Sequence, residues 1–190
     1  FPFNRIATEN GVPALGYVVW VALGGGALML LICAARRKLP RLGRRHLVTY
    51  VVGGALSVAA PMTLLSLAAP RLPSSVITMI VVLAPLLSYL FALPAKLDRF
   101  RWLGLAGLLS ALGGVLLILL PDSSLPEPGM VGWVALTLLA PVSFALFNIF
   151  IDLYAPPREG GLQLGTGTLV AAGLILLPVT AISGDFHLFP

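Results

Sequence analysis

Six stretches of this chain, roughly Leu15 to Ala35, Leu47 to Ala69, Val76 to Leu93, Leu103 to Leu120, Val131 to Tyr154 and Leu164 to Ile182, carry no charged residue except Asp152 near the end of the fifth. At about 1.5 Å of rise per residue, helices of this length cross a hydrocarbon core of about 30 Å. Lipid offers no partner to backbone N–H and C=O groups, so only helices or closed barrels can span it. Barrel strands would alternate with period two in blocks of about ten, and these stretches do not. Charged residues make up 10% of the chain, against about 25% in soluble domains. With a mean hydropathy of +1.01, the sequence cannot cover a water-facing surface. The fold class expected is an all-α integral membrane protein.

The loops orient the spans. "AARRKLPRLGRRH" holds Arg36, Arg37, Lys38, Arg41, Arg44 and Arg45 between the first two spans. In a soluble chain such a run would suggest a nucleic-acid patch, because clustered cations displace counterions from phosphate. Here it sits between two uncharged spans, with no room for a folded module, and reads as a topology anchor that also touches anionic lipid. Lys96, Arg99 and Arg101 follow the third span and Arg158 the fifth, whereas the opposite loops hold only Arg5 and Arg71. The positive-inside rule makes the basic loops cytoplasmic. Glu9, Asp122, Glu127 and Asp185 collect on the other side. Tyr17, Tyr50, Trp102, Trp133 and Tyr154 fall near span ends, as interfacial anchors do, and Trp20 lies about a turn deeper.

The first segment, "FPFNRIATENGVP", has no basic n-region and does not read as a signal peptide. Both ends read as cut, so the chain is expected to be a fragment. Residues 1–12 would be the end of a missing helix and an external loop. "LGYVVWVALGGGALMLLICAARRKLP" from Leu15 and "LGTGTLVAAGLILLPVTAISGDFHLFP" from Leu164 both open on Leu-Gly, have small-residue middles and close on an apolar-Pro pair. "FN" recurs at Phe3-Asn4 and Phe147-Asn148. The two segments would cross the membrane in opposite directions, as the repeats of inverted-repeat transporters do.

Pro61, Pro85, Pro141 and Pro178 lie inside spans. Proline removes a backbone donor and frees the carbonyl four residues back, so these positions are expected helix joints facing protein or a water-filled cavity. The other polar groups within spans include Thr63, Ser88, Tyr89, Ser143 and Asn148, which are the candidate pathway liners. A hydroxyl can bond its own helix, but the Asn148 amide needs partners beyond it. Asp152 is one turn further on the same face. Gly107 with Ala111, and Ser110 with Gly114, have the four-residue spacing that lets a second helix approach. Gly24, Gly25 and Gly26 lack the Lys-Ser/Thr of a phosphate loop.

Enzymatic chemistry lacks a constellation. Only His46 and His187 exist, on opposite expected sides, and no HExxH or Gly-x-Ser-x-Gly occurs. The lone cysteine, Cys33, cannot form an intrachain disulfide and reads as a small apolar filler.

"ITMIVVLAPLLSYLFALPAKLDRFRWLGLAGLLSALGGVLLILLP" resembles the EamA-type half of the drug/metabolite transporter superfamily, and "GWVALTLLAPVSFALFNIFI" looks like the opening helix of its second repeat. The matching features are Pro85, the "KLDRFR" turn, Trp102-Leu103-Gly104 and Gly113-Gly114. The resemblance implies a ten-helix protein in two inverted five-helix halves. This chain would supply residues 13–128 of the first repeat and 129–190 of the second. The family's usual Glu seven residues before the Trp is Ala95 here, with Asp98 offset by three, so no ion coupling carries over from it.

The expected function is a metabolite permease or exporter of the bacterial inner membrane, working by alternating access; a non-transporting scaffold or sensor is the alternative. Its expected partners are the lipid bilayer and a small-molecule substrate, with a homodimer left open, no nucleic acid, no metal and no cofactor.

Overall fold

Proline and glycine decide where these helices bend and where they touch. The computed structural model describes residues 14–119, 130–157 and 159–183, and all regular structure among them is helical. Six helices follow in order. They are α1 (Ala14–Ala35), α2 (Arg44–Ala68), α3 (Ser74–Ala92), α4 (Trp102–Leu119), α5 (Met130–Tyr154) and α6 (Gly161–Ser183). Five of them, all but α4, are long and apolar enough to span a membrane over the described residues. The helix α4 is 18 residues long, and Leu120, the expected end of its span, lies outside the described residues. So do residues 1–12, the Pro-rich turn 121–129, Arg158, and the closing segment with Asp185, His187 and Phe189-Pro190.

Three of the four prolines coincide with a change of backbone ladder. Pro61 has no N–H for the Ser57 carbonyl, and its ring would press on that oxygen. The chain answers with a π turn over Ala55–Ala59, where the Ala60 N–H reaches the Ala55 carbonyl five residues back. In α3, Leu83 leaves the α ladder and donates to the Ile80 carbonyl (3.1 Å). A new segment then starts at Ala84 with Pro85 in its first turn, where no donor is needed. In α5 the break falls at Leu138, and the Val142 N–H reaches Leu138 O only at 3.5 Å beside Pro141. Pro178 differs from the expectation, because α6 runs through it without interruption. One lost hydrogen bond is tolerable inside a long helix, and the Thr180 hydroxyl adds bonds to the Leu176 and Leu177 carbonyls in the same stretch (3.1 and 3.0 Å).

The basic loops begin alike. After α1, the Arg37 N–H bonds Ala34 O and the Lys38 N–H bonds Cys33 O; after α3, Lys96 bonds Leu93 O and Leu97 bonds Ala92 O. This is the Schellman closure, with Arg37 (φ 52°) and Lys96 (φ 56°) in the left-handed position that glycine usually takes.

The chain forms two compact units, residues 1–63 with 153–190, and residues 64–152. In the first, α6 packs on α1 and α2. Val18 and Val19 of α1, Ala59 of α2 and Leu176 of α6 form its core, flanked by Leu23, Met62, Ile175 and Leu177. Missing side chains allow the approach. A Cβ on Gly54 would stand 2.5 Å from Thr168 O and 2.8 Å from Ala172 N, and one on Gly173 would meet Leu23. On α4, by contrast, no described atom lies within 4 Å of a Cβ on Gly107 or Gly114.

In the second unit the first halves of α3 and α5 touch. Val76, Ile77 and Ile80 of α3 and Ala140 and Ala145 of α5 are buried. The Arg71 guanidinium lies 5.2 Å from the Trp133 ring centroid, within cation–π range.

Candidate functional site

The second unit brings two of the expected pathway residues together. Pro85 and Ser88 share the second segment of α3, and Asn148 lies two turns beyond Pro141 on α5. The Asn148 amide Nδ2 donates to Ser88 Oγ at 3.0 Å, and the Ser88 hydroxyl in turn donates to the Ala84 carbonyl at 2.9 Å. Ser88 is half-buried and Asn148 exposed. The amide therefore finds a partner on a neighbouring helix, and the arrangement presents a polar pair at the level of two broken helices.

The remaining expected liners go elsewhere. Ser143 is buried within α5. The Tyr89 hydroxyl accepts the Arg101 N–H (2.9 Å) and its ring covers Gly104, so it ties α3 to the start of α4. Thr63 is half-buried in α2, in the other unit. Asp98 turns onto its own loop, accepting the Arg99 N–H (2.7 Å).

The first unit holds a polar cluster that the sequence reading passes over. Glu159 precedes α6, yet its side chain is only 2% exposed. The Tyr50 hydroxyl donates to Glu159 Oε1. His46 Nε2 stands 3.8 Å from Glu159 Oε2, and neither atom has a hydrogen-bond partner among the described residues. Close by, Gln163 accepts the Gly160 N–H and donates to the Leu39 carbonyl, both at 3.0 Å. That places a side-chain cap on the start of α6 and fastens the basic loop to it. Tyr50, expected as an interfacial anchor, is instead 4% exposed, because its ring lies on Gly167, where no Cβ would fit. Trp102 and Tyr154 are exposed at helix ends. Cys33 is buried, as a filler would be, but its Sγ also lies 3.3 Å from Thr166 Oγ1. The six cations Arg36, Arg37, Lys38, Arg41, Arg44 and Arg45 are all exposed.

Tyr50→Phe is expected to cost about 1–3 kcal/mol, since a buried carboxylate oxygen loses its donor. Glu159→Gln keeps an acceptor for Tyr50 and is expected to cost less. Thermal unfolding in detergent reads both, and equal losses would remove the hydrogen bond from the explanation.

No curated protein and no solved structure shows significant similarity to the chain. The family model of the EamA-like transporter family matches residues 1–120. That match covers more than half of a chain whose described residues form apolar membrane-length helices, and the chain belongs to the EamA-like transporter family.

Proposed function

We propose that this chain forms part of a carrier that moves a small polar or amphipathic metabolite outward across the bacterial inner membrane, by alternating access of two inverted halves. The family supplies the transporter class. The observation that carries the mechanism is the Asn148–Ser88 pair, set on two helices that are both interrupted near prolines. Broken helices supply unpaired backbone groups and joints, and an exposed amide at that depth is compatible with a wet passage or a further helix, not with hydrocarbon. Cargo would bind near the midplane, where the halves of such carriers meet.

Proteoliposomes holding the full-length protein and preloaded with labelled amino acids, nucleosides or sugars are expected to release at least one class faster than empty vesicles. Flux indistinguishable from empty vesicles for every class would count against the carrier reading.

The basic loop would lie on the cytoplasmic side. Replacing Arg36, Arg37, Lys38, Arg41, Arg44 and Arg45 with Gln is expected to weaken or invert insertion of the α1–α2 hairpin, because the K/R bias sets orientation. Reporter fusions after residue 70 read the outcome, and unchanged topology would refute the anchor.

A further inference from the structure

The first unit contains an apolar pocket of about 450 Å³, within the range of small-molecule sites. Leu30 of α1, Leu42 of the basic loop, Leu47 and Val51 of α2, and Val170 and Leu174 of α6 supply much of its wall. Two polar side chains also reach it, and both are already engaged. The Tyr50 hydroxyl donates to Glu159, and the Thr166 hydroxyl donates to the Leu162 carbonyl (2.7 Å) and faces Cys33. A polar metabolite would therefore find hydrocarbon and no unengaged side-chain donor there.

Charge at one end of the pocket identifies what fits. Arg41 lies between Pro40 and Leu42, which both line the wall. Arg44, Leu47 and Val51 fall at i, i+3 and i+7, so one stripe of α2 passes from a guanidinium to two pocket residues. Leu42, Leu47, Val51 and Leu174 remain 78%, 45%, 49% and 58% exposed, open to the surrounding medium. Arg41 and Arg44 are exposed as well. The nearby carboxylate, Glu159, is buried and already accepts the Tyr50 hydroxyl. Arg44 begins a membrane-length helix. With Arg44 at the end of a membrane-length helix, the cations would stand at headgroup level and the pocket wall from Leu47 onward at acyl-chain level, the arrangement that basic pockets use for anionic lipids.

We propose that this pocket is a binding site for one anionic phospholipid, with an acyl chain between α2 and α6 and the phosphate on Arg41 and Arg44. The proposal is independent of what the protein carries.

Phosphatidylglycerol is the probe. The full-length protein is taken from nanodiscs of phosphatidylcholine with a rising fraction of phosphatidylglycerol and examined by native mass spectrometry. One phosphatidylglycerol per chain is expected to be retained, saturating at low mole fraction, while phosphatidylcholine is stripped. Arg41→Gln/Arg44→Gln is expected to lower that retention at least about tenfold. Val51→Trp/Leu174→Trp fills the groove from both walls at half-exposed positions and leaves every charge in place. It is expected to give a similar loss, with helix content by circular dichroism and monodispersity confirming the fold. Retention that follows the cations but ignores the tryptophans would mean diffuse attraction and overturn the site. Equal retention of both lipids would overturn the anionic ligand. A wild type that retains no lipid, because another segment or a second copy covers the groove, would overturn the proposal too.

Discussion

Gly54→Val is expected to destabilise the first unit by about 3 kcal/mol or more, at the upper end of what overpacking costs. A Cβ at residue 54 would meet Thr168 O at 2.5 Å and Ala172 N at 2.8 Å. Both are backbone atoms of α6, so no side-chain rotation relieves the clash and the helices must separate. Separation would uncover the faces that bury Val19, Ala59 and Leu176. The clash also falls one residue before the π turn that accommodates Pro61, so α2 has little freedom to shift its register there. Gly114→Val on α4 is the control. No described atom lies within 4 Å of the added carbon, so this half-buried position has room for the side chain and is expected to change stability by less than about 0.5 kcal/mol. Thermal or denaturant unfolding in detergent compares the two. A mild Gly54→Val would refute the close packing of α2 on α6. A severe Gly114→Val would show that this face of α4 packs on another helix.

Asn148→Ala is expected to lower transport at least about tenfold, a difference of about 1.4 kcal/mol in cargo recognition, while leaving stability almost unchanged. The amide is exposed and, among the described residues, makes one bond, to Ser88. Such interhelical hydrogen bonds in membranes average only about 0.6 kcal/mol. Stability and transport therefore separate cleanly. Ser88→Ala removes the amide's acceptor without removing the amide, so a smaller transport loss is expected from it. Initial rates in proteoliposomes against melting temperature in detergent would check the pair. Full transport activity in Asn148→Ala would exclude the residue from the pathway.

The helices were legible because uncharged length alone dictates them. Each of the six expected spans has a helix among the described residues, and the boundaries moved by only a few positions. The starts of α2 and α6 moved furthest, from Leu47 to Arg44 and from Leu164 to Gly161; in α2, exposed arginines can join the helix while their heads remain in water. That the Asn148 amide has a partner beyond its own helix also followed from chemistry, but that the partner is Ser88 came only from the packing of α3 and α5. Glu159 was not legible in the same way. Its neighbours in sequence mark it as a loop carboxylate, and its burial arises only when α6 brings it to Tyr50, 109 positions away. The glycines divide likewise. Gly107 and Gly114 have familiar packing spacing, yet no described atom lies within 4 Å of a Cβ on either. Gly54, which has no such spacing, and Gly167, which pairs with Ala171 at four residues, carry the tightest approaches, because what matters is a complementary surface on another helix.

The pairing of α1 with α6 also has a consequence in time. These are the first and last helices described, so the ribosome releases α1 into the bilayer well before α6 is made. At about 5–20 residues per second, that wait is on the order of ten seconds. During it Val18, Val19 and Gly26 have lipid or an insertion factor for company instead of their final neighbours. Quality control therefore meets a nascent chain in which α1 lacks its final neighbour until the residues from 161 onward have been made.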